Sequence, residues 1–195
     1  MNHKIITISR EFGSGGRTIG KKTADLLGIP CYDNELLQKI AEKSGFDSSY
    51  IKEAGEYAVG GWLASAFSPR SITPTNQDQL WIIQQNIILE LAEKEDCVIV
   101  GRCADYILSG KANCLKVFIH ADINKRADRI VREYGEREQS PIQRLKDKDK
   151  RRATYYRFYT DMKWGRAQNY HIALDSGKLG IEKCVDLLAQ LYKDM

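Results

Sequence analysis

Five short apolar runs punctuate the chain. They are Lys4 to Ser9, Ile29 to Tyr32, Cys97 to Val100, Leu115 to Ile119 and His171 to Leu174. They are short and rich in apolar and β-branched residues, which is the pattern of buried strands. Between them the apolar positions recur at helical spacing. Ile19, Thr23, Leu26 and Leu27 predict a helix over 17–27 that stops at Gly28. Leu36, Leu37, Ile40 and Ala41 predict one over 35–43, with a second short helix over 47–57. Leu80, Ile83, Ile87 and Leu91 mark a long amphipathic helix. Ile123, Ala127, Ile130, Val131 and Tyr134 mark another, and residues 181–192 the last. Residues 58–77, with Gly60, Gly61, Pro69 and Pro74, read as a long loop, and a stretch that long in a compact domain is usually functional or disordered. No internal repeat is visible. Buried strands alternating with helices imply an α/β fold with a parallel sheet and helices on both faces.

Composition narrows the class. With 195 residues, 43% hydrophobic and 29% charged, the chain is sized for one globular domain. It holds no run of 18 apolar residues, and its N-terminus lacks the pattern of a signal peptide. A cytoplasmic protein with no membrane partner is expected. Cys31, Cys97, Cys103, Cys114 and Cys184 form no Cys-x-x-Cys pair, and His3, His120 and His171 are isolated. Small buried thiols are expected rather than disulfides or a zinc site. The net charge of +4 is too small for a protein that coats nucleic acid, but would suit a phosphorylated anion if the cations were clustered.

The candidate chemistry begins where the first strand runs into Glu11-Phe12-Gly13-Ser14-Gly15-Gly16-Arg17-Thr18 and then a helix. Strand, glycine turn and helix is the layout of a phosphate-binding loop. Its backbone N–H groups curl around an anion and the helix dipole adds to the attraction. Against G-x-x-x-x-G-K-[ST], Gly16 and Thr18 fit, the first glycine is Glu11 and the lysine is Arg17. Arg17 supplies a fixed cation with several donors, and Thr18 a hydroxyl for a magnesium ion. Glu11 needs a neutralising partner, for which Arg10 and Arg17 are nearest in sequence. The alternative is a glycine turn that holds no ligand.

Further along, Tyr32-Asp33 closes the second strand, Gly101-Arg102 the third, and Asp149-Lys150-Arg151-Arg152 sits in a charged segment; Ile172-Ala173-Leu174-Asp175-Ser176 precedes the last helix. Together with the loop from Ser9 to Thr18, these resemble the cytidylate kinase-like branch of the P-loop nucleoside monophosphate kinases, in the same order over nearly the whole chain. The resemblance implies a three-layer α/β/α P-loop NTPase fold with a five-stranded parallel sheet, an acceptor-binding insertion and a helical lid. It divides the single domain into a core (1–33, 95–135 and 165–195), an acceptor-binding segment (34–80) and a lid (136–163). It also implies ATP as phosphoryl donor and Mg2+ as cofactor. By position, Gly13, Ser14, Gly15, Gly16, Arg17 and Thr18 would hold the donor phosphates, with Thr18 on the metal. Asp33 would sit at the acceptor phosphate or its metal, and Arg102 would clamp the monophosphate. Asp149 and Arg152 would reach from the lid to the acceptor or the transferring group, and Lys39 falls near an acceptor-reading arginine.

The sequence departs from the family at several places. Val100 and Cys103 flank Gly101-Arg102 where the family has acids, so Asp33 or Asp105 would have to replace the acid that orders magnesium. Leu145 stands where a lid arginine is usual, beside Arg144. The leading expectation is transfer from ATP to a nucleoside monophosphate, CMP or dCMP first. A kinase for another small metabolite and a catalytically weak nucleotide-binding protein stay open, as does a homodimer. Some residues carry plainer readings too. Asp33 could cap a helix, the run 146–152 could be a solvated face, and Tyr155, Tyr156, Phe158, Tyr159 and Trp164 are read mainly as packing groups. Trp62 and Phe67 could stack on a base. Nucleic acid is not expected as a partner, because Glu136, Glu138, Asp147 and Asp149 would repel phosphates.

Overall fold

The computed structural model describes residues 3–33 and 76–195, with side chains from Trp81 onward in the second stretch. The helices expected over 35–43 and 47–57, Lys39, Trp62, Phe67 and nearly all of the loop 58–77 lie outside the described residues.

The elements are β1 (Lys4–Arg10), α1 (Gly16–Leu27), β2 (Cys31–Tyr32), α2 (Asn76–Lys94), β3 (Cys97–Val100), α3 (Ala104–Ile107), β4 (Asn113–His120), α4 (Ile123–Tyr134), α5 (Pro141–Thr160), β5 (Ile172–Asp175), α6 (Ser176–Leu179) and α7 (Ile181–Lys193). The five strands form one parallel sheet in the order β2-β3-β1-β4-β5. β1 pairs with β4 over seven positions, from Lys4 opposite Asn113 to Arg10 opposite Ile119.

The two faces of the sheet are read by alternation. Ile5, Cys97 and Ile99 face α2 and α3, where they pack with Ile87, Ile88, Leu91, Ile107 and Leu108. Ile6, Ile8, Val98, Val100, Val117 and Ile119 face α1 and α7, where they meet Ile19, Ala24, Val185 and Leu188. Truncating such a fully buried side chain, Ile19 for example, typically costs about 2–5 kcal/mol. This is the three-layer α/β/α arrangement that the resemblance implied.

β2 is shorter than the run 29–32. Gly28 is left-handed and Ile29 N–H closes the end of α1 on the Ala24 carbonyl, while Pro30 has no N–H to give to a ladder and offers only its carbonyl, to Val98 N–H. α2 begins at Asn76, inside the stretch read as loop. The one-turn helices α3 and α6 left no periodic signal in the sequence.

At the end of the sheet remote from the C-terminal strand ends, Asp96 accepts bonds from His3 Nδ1, Lys4 N–H and Tyr192 O–H, tying the start of β1 and the end of α7 to β3. All five cysteines are free, and burial pushes the Cys97 thiol up to about 12 and the Cys114 thiol to about 11. Among the described residues no helix is long and apolar enough to cross a membrane.

Candidate functional site

The site sits at the C-terminal edge of β1 and β3, where parallel sheets of this kind bind ligands. Leaving β1, the chain turns through Gly13 (φ +77°) and Gly15 (φ +79°), conformations that favour glycine. At Gly13 space demands glycine too, because a Cβ there would lie 2.8 Å from the Arg126 carbonyl. α4, α5 and α6 are capped by the side chains of Asp122, Ser140 and Asp175. α1 starts on Gly15 with no side-chain cap, so its first N–H groups remain for another acceptor. Ser14 Oγ donates to the Glu11 carbonyl, which folds the loop on itself.

The loop forms one wall of a cavity of about 570 Å³. Arg10, Arg17, Arg129, Arg137, Arg144, Lys148, Arg151 and Arg152 line it together with Glu11, Asp33, Glu133 and Asp147. Eight cations against four carboxylates is an excess of four, equal to the net charge of the whole chain. A smaller cavity adjoins it, lined by Ser9, Gly101, Arg102, Cys103, Tyr155, Tyr156 and Trp164, and shares Arg10 and Arg152 with the first.

Gly13, Gly15, Gly16, Arg17, Thr18, Asp33 and Arg152 thus line one space and Arg102 the next, while Ser14 is buried inside the loop. Arg17 Nε pairs with Asp33 at 2.8 Å. Arg152 Nη1 donates to the Arg10 carbonyl. Arg144, Lys148, Arg151 and Arg152 fall on one face of α5 at spacings of four, seven and eight, so this charge run is more than a solvated face. Leu145 does not line the cavity; it is fully buried against Ala127 and Ile130.

Asp149 does not line the cavity wall. It accepts from Phe12 N–H at 2.7 Å and from Arg126 Nη1 at 2.6 Å. Arg126 Nη1 also donates to the Phe12 carbonyl at 3.1 Å, and its Nε lies 3.3 Å from Glu11. Glu11 further accepts from Ala121 N–H. The partner that the loop carboxylate needs is therefore Arg126 on α4. Burial still holds the Glu11 carboxyl above its ordinary pKa, against the lowering influence of Arg126 and the Ala121 N–H. The Phe12 ring stacks on Tyr134 and lies under Lys148 and Arg152, at 5.0 and 5.7 Å.

The sequence reading missed Arg126 and Arg129. Arg129 Nη2 reaches Thr18 Oγ1 at 3.4 Å and is held from behind by Glu133 at 3.0 Å. The one signal was a helix whose arginines flank its apolar stripe; nothing local says that they face a loop more than a hundred residues away. Asp105, a candidate metal acid, is buried. It accepts from Tyr156 O–H at 2.7 Å and from Ser9 Oγ at 3.5 Å, and burial raises its pKa. Asp105 is therefore off the cavity surface, whereas Asp33 lines the same cavity as Thr18.

The sheet order, the glycine loop opening α1 and the arginine-lined cleft define the P-loop kinase architecture. Two solved structures share it over nearly their full lengths. They are shikimate kinase from Acinetobacter baumannii in complex with shikimate and a gluconokinase from Sinorhizobium meliloti, each with a TM-score of 0.56 and 17% identity, covering 98% of this chain and 94% of theirs. Within that architecture the chain belongs to the cytidylate kinase-like family, whose model matches residues 5–178. It is 22% identical to a cytidylate kinase of Methanothrix thermoacetophila, over 89% of each chain. It is also similar to an uncharacterized protein of Eubacterium ventriosum, with 31% identity and a TM-score of 0.75 over 99% and 100% of the two chains.

Proposed function

We propose that the protein transfers the γ-phosphoryl group of ATP to a nucleoside monophosphate, CMP or dCMP first. The observation that carries this reading is the pair of adjoining arginine-lined cavities, one over the glycine loop and one at Arg102, with Arg10 and Arg152 between them. Two phosphate subsites joined by shared cations are what in-line phosphoryl transfer requires of a protein.

The loop N–H groups and Arg17 hold the donor phosphates. Arg102 holds the acceptor phosphate, and Arg152, on the boundary, faces charge that develops between them. The acceptor phosphate is a nucleophile at neutral pH, so no Ser–His pair is needed. Helix α5 acts as the lid. It supplies Lys148, Arg151 and Arg152 and keeps out water, which competes as acceptor. ATP bound here supplies the transferable phosphoryl group, and magnesium neutralises its charge. Thr18 and Asp33 fit that metal, since magnesium in kinases takes one or two protein ligands beside phosphates and waters. Arg129 and Arg17, which meet Thr18 Oγ1 and Asp33, would supply cations to the bound phosphates.

A coupled assay with ATP, Mg2+ and CMP, dCMP, UMP or AMP tests the reading. Turnover is expected with the cytidine nucleotides and is lost in Arg17→Ala and Arg102→Ala. No turnover with any of the four overturns it. Leu145, buried where a lid cation would stand, favours a second reading in which the acceptor is another small phosphorylated or hydroxylated metabolite. A thermal-shift screen separates the two, because that reading fails if only cytidine nucleotides stabilise the protein.

A further inference from the structure

Gly101, Arg102 and Cys103 are left-handed in succession, with φ of +83°, +58° and +55°. For the two residues that carry side chains this conformation is strained and persists only where the surroundings impose it. α2 supplies a side-chain contact to this turn. Gln84 is 3% exposed, and its Nε2 donates to the Arg102 carbonyl at 3.0 Å. Its Oε1 accepts from Tyr155 O–H on α5 at 3.2 Å. One buried amide therefore bridges the strained turn that presents Arg102 and the helix that presents Arg152. Three residues before Gln84, on the same face of α2, Trp81 stacks on Tyr159 at 4.2 Å and meets Tyr155 edge-on. The α2–α5 contact around the amide is thus apolar and closely packed. An aliphatic side chain would fill that space without needing partners, whereas a buried amide is stable only with both ends bonded.

We propose that Gln84 is the positioning residue of the acceptor clamp. It holds Arg102 in its left-handed conformation and ties that conformation to the seating of α5 through Tyr155. Arg102 is thereby set for an acceptor phosphate when α5 is packed down. The proposal rests on the reading of Arg102 as the clamp and goes beyond it by naming what holds the clamp.

The experiment titrates inorganic phosphate and CMP into wild type, Gln84→Leu, Tyr155→Phe, Arg102→Ala and the two double variants with Arg102→Ala. KM for both substrates is then measured in the variants that keep Arg102, and the Arg102→Ala background is read by binding alone. Gln84→Leu is expected to weaken anion binding and raise the acceptor KM about tenfold, the scale of one lost buried hydrogen bond, with the KM for ATP unchanged. Tyr155→Phe leaves the core volume intact, so it serves if Gln84→Leu does not fold, and moves the same quantities in the same direction by less. In the Arg102→Ala background neither substitution has a further effect, because each acts through that side chain. An equal loss with and without Arg102, an unchanged acceptor affinity in both single variants, or a parallel rise in the KM for ATP overturns the proposal. If wild type binds phosphate but turns over no nucleotide, the kinase reading falls and the binding cycle still decides the role of Gln84.

Discussion

Replacing Arg126 by methionine isolates the cluster that joins the phosphate loop to α4 and α5. The arginine side chain is 9% exposed, and it meets Asp149 at 2.6 Å, the Phe12 carbonyl at 3.1 Å and Glu11 at 3.3 Å. Methionine keeps most of the volume and removes every donor. Two carboxylates, 25% and 17% exposed, then lose the buried cation that they share. Breaking a buried pair from one side costs about 3–5 kcal/mol, a large part of the roughly 5–15 kcal/mol that holds a domain together. The melting temperature should fall by on the order of 10 °C. The cost must also depend on pH. Burial already lifts the Glu11 pKa above 4.5, and removing Arg126 lifts it further. A carboxyl raised in the folded state carries its full penalty above the folded pKa and sheds it as pH falls toward the unfolded value. Urea unfolding from pH 8 to pH 5 should therefore show the variant recovering relative to wild type. Adding Glu11→Gln should restore part of the loss at pH 8. A loss under about 1 kcal/mol at pH 8, or one that is constant with pH and untouched by Glu11→Gln, refutes the reasoning.

Two further outcomes are expected. Arg102→Gly and Arg102→Ala should both lose acceptor turnover, but the glycine variant should melt higher, by roughly 2–4 °C for about 1 kcal/mol of relieved left-handed strain; equal melting temperatures would mean that the turn at Arg102 is unstrained. Asp105→Asn should be more stable than wild type at pH 8, with the gap closing as pH falls toward 3.8, because burial raises the Asp105 pKa and the ionised form bears the cost. Urea titrations at several pH values measure this, and a variant less stable throughout would refute it.

What the sequence revealed depended on the range of the interaction involved. The apolar runs located all five strands, because the buried middle of a strand covered on both faces has few polar positions. The glycines at 13, 15 and 16 located the loop, because steric limits on φ are local. Ion pairing is not local. Glu11 advertised the need for a cation, yet the nearest arginines in sequence, Arg10 and Arg17, are not the ones that meet it; Arg126 arrives from α4 once the β1–β4 register is set. Asp149, read with Arg152 as a D-x-x-R pair, turns to Phe12 and Arg126 while Arg152 faces the cavity, since three residues along a helix still leave room to diverge. Gln84 carried no signal at all. A lone glutamine in an amphipathic helix looks like any boundary residue until both ends of its amide are seen to be occupied.

Among the described residues the longest strands, β1 and β4, lie inside the sheet, while β2 at one margin has two residues and β5 at the other has four. Unpaired strand margins are where sheets recruit foreign chains and begin to aggregate, and the tendency grows with the length of ladder on offer. A two-residue and a four-residue margin can template little intermolecular ladder. The order of strands that builds an anion cleft at one end of the sheet thus also gives the fold colloidal tolerance along its sides.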